Sequence, residues 1–193
     1  MDRRLYKVEN IKETNINKLL KMQIIVIIVC VILGTLLHFT YQWSEENLLV
    51  TSFSSVNESV WEHLKLIFYP MLIMAIIEYP FVKEIANNYI ESKTIGIFIA
   101  MSFMVVSFFT YTGILGTNFA VINILLFIIS IILGEWIAYK LMKINNKSTA
   151  ITKILASIII LFFLICFIVL TYYTPVVNLF RDPVNGTYGI NHI

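Results

Sequence analysis

The side chains of this chain that could do chemistry fall into two groups. His38 and Gln42 lie four residues apart and share one face of a helix. Glu58, Glu62 and Lys65 follow i, i+4, i+7 spacing and share another face, with His63 turned about 100° away from Glu62. Two imidazoles among carboxylates suit three chemistries. His38, His63 and Glu62 could ligate zinc or another transition metal. A His/Glu pair could activate water in a hydrolase, although no HExxH spacing and no obvious nucleophile accompany it. The same groups could line a polar pocket for a small solute or ion. The plainest reading is a polar interfacial rim with an intrahelical Glu62–Lys65 pair. The second group is Glu78 and Glu135. These are expected to snorkel toward headgroups beside Lys83 and Lys140, the alternative being a carboxylate pair that handles protons or cations.

The elements that position these groups are long apolar blocks. The 193 residues are 59% hydrophobic and 13% charged, with mean hydropathy +0.82. A soluble domain of this size carries about a quarter charged residues, so too little polar surface is present to coat a globule in water. Blocks of about 20 apolar residues indicate helices in lipid. Spans are expected at 22–43, 61–82, 95–115, 119–141 and 154–174. Ser55 with Glu58 fits a capping box opening the second span. Pro70 falls within that span and Pro80 at its end; Gly116-Thr117-Asn118 is a tight turn, and Pro175 ends the fifth span. Trp43, Trp61, Tyr172 and Tyr173 read as an interfacial belt. The fold expected is all-α: a polytopic transmembrane bundle with a basic cytoplasmic segment (1–21), five spans (22–174) and an extracytoplasmic tail (175–193). No CxxC or Cys/His pair with metal spacing is present, and Cys30 and Cys166 both lie inside apolar blocks.

Orientation follows from basic residues. Segments 1–21, 83–94 and 140–153 hold twelve Lys or Arg, while the opposite side holds Arg181 alone and Lys65 lies within a span. This bias puts the N-terminus inside and the C-terminus outside a cell membrane. Basic residues that flank spans form no nucleic-acid surface. The tail, with Asp182-Pro183 and Asn185-Gly186 turns and apolar Val184, Tyr188 and Ile190, is expected to fold back over the outer polar group. Arg181 would there meet Glu45, Glu46 or Glu58, and Lys65 would meet Asp182.

The stretch FSSVNESVWEHLKLIFYPML, the later Ile77-Glu78-Tyr79, the tail LFRDPVNGTYGI and His38 resemble a family of small, uncharacterised multi-span proteins of low-G+C Gram-positive bacteria. The resemblance implies no catalytic residues; it implies that the polar elements of the outer face are the family's hallmark. The pocket expected comprises His38, Gln42, Glu58, Glu62, His63, Lys65, Asp182 and Tyr188. The function expected is binding or transport of a small solute or ion, with the bilayer and a possible membrane subunit as partners. A membrane-embedded hydrolase and a structural or assembly factor are the alternatives.

Overall fold

The structure, a computed structural model, describes residues 3–144 and 148–190, with side chains from residue 13 onward. The basic residues Arg3, Arg4, Lys7 and Lys12 therefore lie outside the described side chains, and Lys147 outside the described residues. Five α-helices account for most of the chain: α1 (Arg3–Trp43), α2 (Val60–Val82), α3 (Tyr89–Leu115), α4 (Ala120–Ile144) and α5 (Ala150–Tyr172). Each is long and apolar enough to cross a membrane, and no strand occurs among the described residues. Short 3-10 turns at Val50–Ser52 and Asn178–Phe180 punctuate the first loop and the tail.

Helix ends differ from expectation where side chains claim backbone groups. α2 opens at Ser59, whose hydroxyl accepts Glu62 N–H, so the Ser55–Glu58 capping box is displaced by four residues. The carboxylate of Glu62 instead accepts the amide of Val56 at 3.0 Å. α3 opens at Asn88, which places Lys93 inside the first turns of the helix instead of in the preceding loop. Pro80 lies in the last turn of α2, which ends at Val82. Gly116 closes α3 at φ 69°, a left-handed conformation that glycine adopts without a Cβ clash.

α2 is the central helix. Half of its most apolar stretch is buried within the protein, against 17% for α5. α5 packs mainly on α3 and on the Val50–Ser52 turn, and it reaches α2 through Phe167, which lies against Trp61 and Phe68. The most extensive helix packing is α3 on α4, where a Cβ built on Gly96 would meet the Gly134 carbonyl at 2.6 Å. The main core, including Ile67, Phe68, Met71, Met104 and Ile131, joins α2, α3 and α4 in one apolar cluster. Trp61 belongs to this core, stacked between Phe167 and Phe180 at 4.7 and 4.8 Å, and is not part of a belt.

Candidate functional site

At the end of the bundle where α1 finishes and α2 begins, a cavity of about 450 Å³ opens between α1, α2 and the start of α4. Its polar wall is His38, Glu58 and His63, with Asn118 and Asn123 opposite and Pro183 and Val184 of the tail above. His38 is held by the fold of the first loop. Ser54 Oγ donates to the Leu37 carbonyl at 2.5 Å and accepts Tyr41 N–H at 3.0 Å, fixing the last turns of α1. Glu58 precedes the cap of α2, so it does not share a helical face with Glu62 and Lys65. It reaches both imidazoles instead: His38 Nε2 lies 3.6 Å from Oε1 and His63 Nε2 3.5 Å from Oε2. The two rings stack at 5.6 Å with 28° between planes.

The tautomer of His63 is fixed by its other nitrogen. Nδ1 sits 2.9 Å from the Ser59 carbonyl, which can only accept, so Nδ1 carries the hydrogen. In the neutral ring the Nε2 lone pair then faces a carboxylate oxygen, and two acceptors oppose each other across an open cavity. A proton on the ring, or a ligand bearing a positive charge or a hydrogen-bond donor, reconciles them.

The tail is docked over this cavity. Phe180 is buried against Trp61, Asn57 Nδ2 donates to the Gly189 carbonyl at 3.0 Å, and Glu58 N–H donates to Asp182 Oδ2 at 3.3 Å. Asp182 also accepts the amides of Val184 (2.7 Å) and Asn185 (3.2 Å), and so shapes its own turn. Tyr188 packs against the core and pairs with Arg181 in an isolated antiparallel bridge. It does not line the cavity.

Several expected members are elsewhere. Lys65 does not meet Asp182; its three hydrogens go to Glu62 (2.6 Å), the Thr51 carbonyl (2.7 Å) and Thr171 Oγ1 (2.9 Å). Glu62 and Lys65 are both buried and form a strut joining α2, the first loop and α5. Gln42 is exposed and is not part of this cavity's lining. The ligand set His38, His63 and Glu62 does not assemble, because Glu62 is committed to Lys65. No group of three His, Cys, Asp or Glu side chains suited to a metal forms among the described residues.

The second group is also rearranged. Glu78 and Glu135 do not snorkel to Lys83 and Lys140; both are buried, and Lys93 stands between them at 2.6 Å from each. Gln23 of α1 completes the network. Its carbonyl accepts from Lys93 at 3.1 Å and its amide nitrogen donates to Glu78 Oε1. The Tyr89 hydroxyl lies 3.0 Å from Glu78 Oε2 and 2.8 Å from the Ala75 carbonyl. Sequence reasoning missed Gln23, Tyr89 and Lys93. The available signal was Gln23 as a polar residue in an apolar block, and Lys93 one helical turn beyond the capping-prone Asn88.

No curated protein and no solved structure matches the chain. A family model described as a family of unknown function (DUF6512) matches residues 11–190, and the chain belongs to that family.

Proposed function

We propose that this chain is a multi-pass cell-membrane protein that binds a small solute or ion in the cavity beneath its tail, with that cavity facing outward. The observation that carries the reading is the pair of opposed acceptors, His63 Nε2 and Glu58 Oε2, at 3.5 Å in an open cavity. Such a site favours a cation or a donor-bearing organic amine. The twelve-to-one distribution of basic residues supports the outward orientation. Binding is favoured over open conduction, because the packed apolar cluster of Ile67, Phe68, Met71, Met104 and Ile131 joins α2, α3 and α4. A serine or cysteine hydrolase is disfavoured, since among the described residues neither lines the cavity.

The test is thermal unfolding of purified protein with zinc ion, small alkylamines and free amino acids as probes. A ligand at about 100 times its Kd stabilises the protein by about 2.7 kcal/mol. The expected result is stabilisation of wild type by at least one probe, lost in Glu58→Gln and His63→Ala variants that unfold normally without ligand. Variants that are destabilised on their own, in a protein that no probe stabilises, would make the trio structural and overturn the proposal.

A further inference from the structure

The network at the opposite end of the bundle has a charge that does not balance. Glu78, Lys93 and Glu135 are at most 3% exposed, come from three helices and sit within lipid-spanning segments. With every group ionised they sum to one uncompensated negative charge, in the part of a protein where a lone charge is most costly. The donors around them say where the imbalance falls. Lys93 has three hydrogens and three acceptors: Glu78 Oε2, Glu135 Oε2 and Gln23 Oε1. Because Lys93 needs Gln23 Oε1 as an acceptor, the amide orientation is fixed and Gln23 Nε2 must donate to Glu78 Oε1. Both oxygens of Glu78 therefore receive a hydrogen, as a carboxylate requires. Glu135 receives one, at Oε2, while its Oε1 is fully buried and has no partner.

We propose that this network holds one bound proton, carried on Glu135 Oε1, and that it is a proton site inside the bundle. A proton neutralises the surplus charge and needs no coordination shell, unlike a metal cation, which would require several oxygens around an atom that has no partner. The groups facing the site come from every helix packed on it. They are Gln23 and Cys30 of α1, Glu78 of α2, Tyr89 and Lys93 of α3, and Glu135 itself on α4, with the Cys30 thiol within electrostatic reach of all three charges. Tyr89 and Lys93 also form part of the wall of an apolar groove of about 440 Å³ between α2, α3 and α5.

Infrared difference spectroscopy of the purified protein in lipid at neutral pH tests this. A protonated carboxyl has a C=O stretch distinct from that of a carboxylate. Wild type should show one such band that Glu135→Gln lacks. Glu78→Gln should lack it too, because removing that charge leaves Glu135 and Lys93 balanced and ionised. Lys93→Met should gain a second band, both acids then being neutral. A wild-type band that survives in both glutamine variants would overturn the proposal. So would the absence of any band assignable to either glutamate, including a spectrum that responds to sodium in place of protons. Either glutamine variant decides alone if the other fails to fold.

Discussion

Replacing Phe180 with alanine should detach the tail while leaving the bundle intact. Phe180 is 5% exposed and its ring lies 4.8 Å from Trp61, which in turn stacks on Phe167. Truncating a buried phenylalanine costs about 3–5 kcal/mol, and an aromatic pair adds about 0.5–1.5 kcal/mol. Phe180 sits at the rim of the core, and the tail can open locally without unfolding the helices, so the low end, about 3 kcal/mol, applies. With RT near 0.6 kcal/mol, this shifts the docking equilibrium roughly 100-fold toward the open form. Two bonds across the interface, Asn57 to Gly189 and Glu58 to Asp182, then open with it. Hydrogen exchange at the Glu58 amide and protease cleavage between Pro175 and Ile190 both read that equilibrium. In Phe180→Ala each should accelerate by about the same factor while exchange in α3 and α4 is unchanged. Unchanged rates at both places would refute the argument that Phe180 anchors the tail.

Two further outcomes follow from the buried charges and from the orientation. Lys65→Met strands the Glu62 carboxylate in the core and should cost about 3–5 kcal/mol in denaturant or thermal unfolding, with much of the loss recovered when Glu62→Gln is added. Cysteines at the exposed positions Leu49 and Val176 should react with a membrane-impermeant reagent in intact cells, in a background lacking Cys166, whereas one at Glu84 should not. The reverse pattern would invert the assigned orientation.

Helix number and approximate position were legible because lipid imposes a length of apolar sequence that few other environments demand. The pairings of ionisable groups were not, because they are decided between helices. His38 and Glu58 come from different elements, and only the packing of α1 on α2 brings them together. The inner group shows the same limit more sharply. Equal depth of Glu78 and Glu135 could be read from spacing, but the neutralising partner could not. Lys93 falls in the polar stretch 83–94, which reads as a loop, so Lys83 and Lys140 are the nearest cations that the sequence offers. Conversely, Glu62 with Lys65 was legible as a pair because three residues on one helix suffice to make it. The docked tail was legible in outline from its turn residues and apolar spacing, while its contacts were misassigned: Asp182 accepts a backbone amide and its own turn, not a lysine.

The separation in sequence of the contacts that close the cavity has a consequence for biosynthesis. Asn57 and Gly189 are 132 residues apart, and Glu58 and Asp182 are 124 apart. These are among the longest loops the chain closes, so they form after the local helix pairs. During translation the walls contributed by α1, α2 and α4 exist before the lid has been made, and the lid can arrive only once α5 has inserted. A nascent chain stalled before that point presents an uncovered imidazole–carboxylate cluster and an unshielded Trp61. A chain extended through Gly189 differs from shorter intermediates in having the tail docked over that end, which makes residues 180–189 a marker of assembly that has passed α5.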